Sequence, residues 1–364
     1  MKLKHGIASP STITRMLCGI DEELALYAFM EWIGEIADSK NTHLAMDGKA
    51  LRGATEKTKG GTTPMLLNVV DTVRGLIFAQ LPGDSKTNEI GVIPELLKLL
   101  DIKGSVITID AIGTQTAIME QIHEQEGHFV LTVKKNQPEA YEEIHRFMDQ
   151  LEAEEAKTKT DEIPDAVIRE YLEKYEETNR IEKNRDRNEY RVCQICNDTS
   201  NLTKTQKEWR HVQSIGRIKQ IRIPIEKDSQ GNDVTPTKEE FLEKGSRRVP
   251  APSAEEGIGK DIQCTALSSD LILTAEELGT IKRMHWSIEN RLHHVLDDTF
   301  REDRSPAKKS RTNLSLIRKF AYNILRLAMY ETGMTNIMTE MMDCFCDNAA
   351  LREQYVFQGI ASLY

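Results

Sequence analysis

The sequence predicts an α/β fold, a mixed sheet with flanking helices, on three observations. Five short apolar runs, His43–Asp47, Pro64–Asp71, Gly75–Leu81, Ser105–Asp110 and His128–Lys134, have strand length and are bounded by turn residues. Longer stretches between and after them repeat their apolar residues at helical spacing. The order is three strands, then helix, strand, helix, strand, helix, which describes a layered α/β sheet with mixed strand directions.

Each element has a local reason. Residues Ser9–Ala37 read as two helices, the first started by the cap-like Pro10-Ser11-Thr12, the second carried by the apolar spacing of ELALYAFMEWIGEIA. VVDTVRGLIF reads as a hairpin between two strands. NEIGVIPELLKLL, TQTAIMEQIHEQ and the acidic PEAYEEIHRFMDQLEAEE read as helices. From Lys157 to Asp261 the chain turns polar and interrupted, with β-like pieces EYRVCQI and RIKQIRIPI and a Pro/Gly/Ser-rich connector, KGSRRVPAPSAEEGIGKD. That stretch reads as a β-rich insertion with a mobile connector. Helical periodicity returns after Thr274 and runs to about Thr332, where Leu314, Ile317, Ala321, Ile324, Leu325 and Ala328 keep to one face. The expected division is a helical segment at 1–40, a first catalytic part at 41–156, an insertion at 157–270, a helical last part at 271–335 and a tail at 336–364.

Length and composition set bounds. The 364 residues suffice for about two domains, and 39% apolar with 29% charged residues excludes disordered, collagenous and coiled-coil classes. No apolar run approaches the roughly 18 residues that cross a bilayer. The N-terminal MKLKHGIASPSTITRML lacks the apolar core and cleavage site of a secretory signal, so a cytoplasmic protein without a membrane partner is expected. Six cysteines are too sparse for a disulfide scaffold; Cys193–Cys196 and Cys344–Cys346 have no second pair at zinc spacing and are expected to be reduced thiols.

The net charge of −10 argues against a nucleic-acid partner until its distribution is considered. Glu139–Glu177 carries a net −9, Arg180–Arg222 a net +6 and Arg301–Lys319 a net +5. An acidic block followed by two basic ones allows a basic surface on an acidic protein, although solvated faces explain either basic block alone.

Three carboxylates stand out. Asp47 ends one strand in AMDGKALRG and Asp110 ends another in VITIDAIGTQ, where α/β sheets present polar groups to ligands. One such residue is explained by a cap or turn; two on adjacent strands point to a metal site, because ionised Asp is rare in buried strands unless paired or metal-bound. Glu289 lies in KRMHWSIENRLHHVLDDTFREDRS, where His285, Glu289, His293 and Asp297 fall four apart in one polar helical stripe beside apolar Ile288, Leu292, Val295 and Leu296. A helix packed through that apolar face brings Glu289 towards Asp47 and Asp110. Three carboxylates with open positions suit Mg2+ or Mn2+, a pair of ions about 4 Å apart for phosphoryl chemistry. The His-x3-Glu-x3-His arrangement also admits zinc, and an exposed charged face explains the stripe without any ligand.

AMDGKALRGA, KTNEIGVIPELL, VITIDAIGTQ, FVLTVKKNQP and HWSIENRLHHVLDDTFREDRS together resemble, in order, the motifs of the ISAs-type insertion-sequence transposases, also called H-repeat-associated proteins, of the DDE superfamily. The resemblance runs from about His5 to Tyr330 and is thin between Lys157 and Asp270. It implies a ribonuclease-H-like fold with a β-rich insertion before the last catalytic helix, which suits intervals of 63 residues between Asp47 and Asp110 and 179 between Asp110 and Glu289.

The resemblance also implies a function. Asp47, Asp110 and Glu289 match the catalytic and metal-binding triad, and two Mg2+ or Mn2+ ions are the implied cofactor. Lys134, Asn136 and Gln137 match a K-x-N-Q segment expected at the DNA backbone, with Lys135 beside it. Arg283, His285, Trp286 and Asn290 match the residues around the glutamate, and Lys49 and Arg52 follow the first aspartate in the same basic setting. Trp286 suits either base stacking or the core. The implied activity is hydrolysis at the ends of an insertion sequence followed by strand transfer, on double-stranded DNA, by a bacterial, nucleoid-associated enzyme that pairs two ends as a dimer. The sequence departs from the family pattern at His294, Asp298 and Pro306, and its N-terminal helical region is short. A silent DNA- or partner-binding remnant, or a nuclease without joining activity, are the competing expectations.

Overall fold

The computed structural model describes residues 8–55, 63–83, 89–160, 165–184, 187–203, 207–247 and 262–358. In chain order these form α1 (Pro10–Gly19), α2 (Glu22–Ile36), β1 (His43–Ala50), β2 (Met65–Asp71), β3 (Leu76–Gly83), α3 (Glu89–Lys98), β4 (Val106–Ile109), α4 (Thr116–Glu124), β5 (His128–Val133), α5 (Pro138–Lys159), α6 (Ala166–Leu172), β6 (Tyr175–Asn184), β7 (Arg187–Cys196) and β8 (Ser214–Pro224). There follow the short β9 (Glu226–Lys227) and β10 (Asp233–Val234), α7 (Lys238–Arg247), β11 (Ile262–Ser269), α8 (Ala275–Ile288), a π-helical turn (Glu289–His293), α9 (His294–Asp298), α10 (Arg311–Thr332), α11 (Met338–Asp347) and α12 (Ala349–Arg352). The α/β class and the five strands of the first half are those the sequence predicts.

The chain divides into two compact units. One comprises Met1–Gly113, Gln121–Gly127 and Met284–Tyr364, the other Thr114–Glu120 and His128–Arg283. The cut therefore falls at His128 and not near Lys157, because β5 and α5 associate with the strands of the insertion.

In the first unit the strand order is β3-β2-β1-β4. β1, β2 and β3 form an antiparallel meander, and β4 runs parallel to β1. The β2–β3 turn is made by Asp71, whose Oδ1 accepts from the Val73 and Arg74 amides at 2.8 and 3.1 Å. Gly75 then takes φ +75°, where any Cβ would also meet the Arg326 guanidinium at 2.6 Å. On one sheet face Ala45, Val70 and Ile77 meet Phe29 of α2, Ile288, Leu292 and Leu296 of the helix around Glu289, and Leu325 and Ala328 of α10. Hydrophobic burial on that face holds both helices to the sheet.

The second unit is antiparallel throughout, in the order β5-β11-β8-β7-β6. EYRVCQI lies in β7 and RIKQIRIPI begins in β8, so the β-rich reading holds, with α6 and α7 added. Acidic α5 packs on β8, where buried Arg217 donates to Asp149 and to Glu152 at 3.1 Å. The connector from Lys244 onward falls mostly outside the described residues. Cys193 and Cys196 are buried and unbridged, and burial pushes both thiols up to about 11, which suits packing and not redox chemistry. Among the described residues no helix is long and apolar enough to cross a membrane.

A buried relay crosses the first unit's sheet. The His43 ring bonds Thr72 through Nδ1 and Thr108 Oγ1 through Nε2 at 3.1 Å. Burial pushes the His43 pKa down to about 4. The native state then takes up no proton there until about pH 4, whereas the unfolded chain does so from about 6.5. Its stabilising contribution, of the order of 3 kcal/mol, is present above pH 6.5 and lost as pH falls towards 4. His43→Gln is expected to flatten that part of the profile, read from urea unfolding midpoints between pH 4 and 7.

Candidate active site

The site begins with strand register. Met46 of β1 pairs with Ile109, the last residue of parallel β4, so Asp47, within β1, and Asp110, just beyond the end of β4, follow directly on a matched pair. Asp47 faces Asn68 on β2, and Asn68 faces Gln80 on β3. Asp47, Asn68 and Gln80 thus form a polar row across β1, β2 and β3, with Asp110 just beyond the end of β4. Asn68 is fully buried and its Oδ1 has no hydrogen-bond partner among the described residues. Gln80 is satisfied: its amide donates to the Thr312 carbonyl at 3.2 Å, and its oxygen accepts from Lys319 of α10. Lys319 is entirely enclosed, and burial lowers its pKa to about 8.

The polar helical stripe faces this row. His285 Nδ1 lies 3.0 Å from Thr108 Oγ1 on β4, level with Ala45 and two residues before Asp110. His293 Nδ1 lies 3.6 Å from Asp47 Oδ2 on β1, and Asp297 accepts from Lys49, two residues further along β1. Glu289 sits one turn from both histidines and is exposed. Four-residue spacing on an α-helix drifts about 40° per step. The π-helical turn at Glu289–His293 takes more residues per revolution and pulls the stripe back towards the sheet, which no periodicity count reveals.

His293 is held neutral, its pKa pushed down to about 3 by burial and then by the Lys49 and Lys319 charges. Its 3.6 Å approach to Asp47 is too long for a hydrogen bond, and its buried Nε2 has no partner among the described residues. The zinc reading of His285-Glu289-His293 is not supported, because the two rings contact different strands. Among the described residues no group of three His, Cys, Asp or Glu side chains is gathered to hold a metal ion. Asp47 and Asp110 follow a matched pair of strand residues, and Glu289 is exposed on the helix whose His285 and His293 approach β4 and β1. The donor chemistry still fits a hard cation, since the row offers carboxylate and amide oxygens with an unsatisfied Asn68 Oδ1.

Residues 38–324 match the family model for the transposase DDE domain. The chain belongs to the DDE transposase family. YncI of Escherichia coli O157:H7, provisionally named a transposase, is 29% identical over 88% of this chain and 72% of its own length. The H repeat-associated protein YhhI of E. coli K12, also provisionally named a transposase, is 28% identical over 88% and 74%. A piggyBac transposase, solved as a synaptic complex with hairpin DNA, aligns at TM-score 0.40 and 10% identity over 95% of this chain, which spans 60% of that protein; so loose a likeness transfers nothing. Transposases of this family act on DNA and use divalent metal ions.

Family membership sharpens where the remaining expected residues sit. Lys49 is buried and ion-paired with Asp297, Glu302 at 3.6 Å and Asp303 at 3.8 Å, so it is not presented to DNA. His285 is likewise buried against Thr108, and Trp286 is half-buried. Arg52 is exposed. In the second unit Lys134, Lys135 and Asn136 are exposed in the turn after β5, while Gln137 spends its amide on the Thr114 carbonyl at 2.9 Å. Arg283 is exposed and pairs with Glu182 at 2.8 Å, and Asn290 is exposed. Sequence reasoning missed Asn68, Gln80, Glu302 and Lys319; Asp297 it placed in the polar stripe by spacing, without its partner Lys49.

The turn after β1 locks onto the segment beyond α9. The Arg52 amide donates to Asp303 Oδ1 at 3.2 Å, and a Cβ on Gly53 would come within 2.4 Å of the Asp303 carbonyl oxygen and 2.6 Å of that of Ser305. Since both neighbours are backbone, Gly53→Ala is expected to lower stability by about 1–3 kcal/mol, measured by thermal or urea unfolding.

Proposed function

We propose that this transposase cuts DNA at the ends of an insertion sequence and joins the freed ends to a target, with Asp47, Asp110 and Glu289 as its metal-binding carboxylates. The observation that supports the reading is the parallel pairing of β1 with β4, in which Met46 stands opposite Ile109 and each is followed by an aspartate. Glu289 is the third ligand in this reading, one turn from helix contacts to both strands.

The chemistry supplied by bound magnesium or manganese, two ions in this reading, is activation of the attacking oxygen and neutralisation of charge on the leaving one. The chain's own residues position the phosphodiester and exclude alternatives. Arg52 in the first unit offers exposed positive charge for phosphates, and Lys134, Lys135 and Arg283 in the second unit offer it there. Asn136 and Asn290 offer amides to the backbone or base edges, and half-buried Trp286 is the aromatic ring available for stacking. Pairing of two element ends calls for two copies, so a homodimer on DNA is part of the proposal.

The test is nicking and strand transfer of a plasmid carrying the element's terminal inverted repeats, with Mg2+ or Mn2+. Asp47→Ala, Asp110→Ala and Glu289→Ala are each expected to reduce cleavage by at least about 10^3-fold, the scale of losing a principal electrostatic contributor, with DNA affinity retained. Unchanged cleavage in the variants would refute the assignment, cleavage without joined products would favour a nuclease, and an inactive wild type that still binds DNA would favour a silent remnant.

A further inference from the structure

Lys49 is the most heavily engaged charged side chain near the proposed site. It stands two residues after Asp47 on β1, so both side chains leave the same face. The strand climbs about 6.6 Å over that interval and the facing helix about 6 Å over four residues. The two elements therefore stay in step: His293 meets Asp47 and Asp297 meets Lys49. Beyond α9 the chain reverses at Arg301, which takes φ +53°, a left-handed conformation that non-glycine residues seldom adopt. The reversal delivers Glu302 and Asp303 to the same ammonium group at 3.6 and 3.8 Å. Glu302 is buried and its Oε1 accepts from Ser315 of α10 at 2.6 Å. One lysine on the strand of the first aspartate thus binds the helix of Glu289, the reversal after it and, through Glu302, the next helix.

We propose that Lys49 is a positioning residue of the transposase reaction, holding the helix that carries Glu289 against the strand that carries Asp47. This rests on the metal-binding role proposed above for those two carboxylates. Three acidic partners outweigh one ammonium group, so without Lys49 the carboxylates of Asp297, Glu302 and Asp303 repel one another at the helix end and the distance from Glu289 to β1 is no longer set. Lys49 acts through the ligands and touches neither DNA nor metal.

The experiment uses the full chain and Mn2+ alone as probe. Mn2+ affinity, read by electron paramagnetic resonance and calorimetry, is measured for the wild type, Lys49→Met, Lys49→Arg, Asp297→Asn and Asp47→Asn, with end-DNA affinity in EDTA alongside. Lys49→Met and Asp297→Asn are expected to weaken Mn2+ binding by about 10- to 100-fold, the usual effect of losing a group that orients metal ligands. Half-maximal cleavage should need correspondingly more metal, with DNA affinity unchanged and part of the loss restored in Lys49→Arg. Asp297→Asn preserves shape and carries the test if Lys49→Met does not fold. Wild-type Mn2+ affinity in Asp297→Asn and in folded Lys49→Met overturns the proposal, as does a loss of DNA affinity with a shallower salt dependence, the mark of a phosphate contact. Undiminished Mn2+ binding in Asp47→Asn would instead sink the underlying metal assignment, which separates the two failures.

Discussion

The parallel pairing of β1 with β4 is the constraint on which the rest of the site depends. Side chains alternate along a strand, so a slip of one residue in either strand would send Asp47 or Asp110 to the opposite face. The apolar residues around the two aspartates fix that register. Ala45 faces the helix around Glu289, whereas Leu44 and Met46 are buried on the other side together with their partners Ile107 and Ile109 on β4. Hydrophobic burial, which is non-directional, is here converted by the ladder's period of two into the placement of two carboxylates. The same conversion extends the polar row to Asn68 and Gln80, residues whose burial costs free energy unless partners are supplied. Lys319 and Thr312 from α10 supply them at Gln80, whereas Asn68 Oδ1 beside Asp47 remains without one among the described residues.

A second constraint comes from the mismatch between helix and sheet. Apolar positions Ile288, Leu292 and Leu296 must stay on the core while the polar stripe stays over β4 and then β1. A regular α-helix cannot hold four-spaced residues on one line for long, because each step drifts. The π turn from Glu289 to His293 corrects the drift where the third carboxylate sits. π turns recur at functional sites because they re-aim side chains at a cost in backbone regularity. Lys49 and its acidic partners follow directly after the turn and fix the corrected helix to the strand.

How much of this was legible in the sequence follows from the range of the interactions involved. Strand and helix periodicity is local, so the five strands of the first half, the hairpin at Asp71–Gly75 and the helices flanking them read correctly. Asp47 and Asp110 stood out because an acidic residue after an apolar run conflicts with its surroundings, although β1 continues to Ala50 and only Asp110 lies at a strand end. Lys49 was misread as a DNA contact because a lysine after such a strand normally lies at the surface, and its partner is 248 residues away. Asn68, Gln80 and Lys319 were invisible for the same reason: each makes sense only across strands or between α10 and the sheet. The grouping of β5 and α5 with the insertion was also hidden, since it depends on antiparallel pairing with β11, more than a hundred residues later.

The charge blocks show how a one-dimensional pattern changes meaning on folding. The block Arg180–Arg222 offered a basic surface, but much of it is engaged within the second unit. Arg187, Arg191 and Arg222 converge on buried Glu189, and Arg217 and Lys219 pair with Glu152 of acidic α5. The acidic and basic blocks therefore partly neutralise each other inside one unit. The block Arg301–Lys319 behaves differently: Arg301, Arg304, Lys308, Lys309 and Arg311 are exposed, in the same unit as the three carboxylates. Phosphate binding is dominated by such solvent-facing cations, each of which contributes through counterion release. A cluster of exposed cations within one unit makes a net charge of −10 compatible with a DNA substrate.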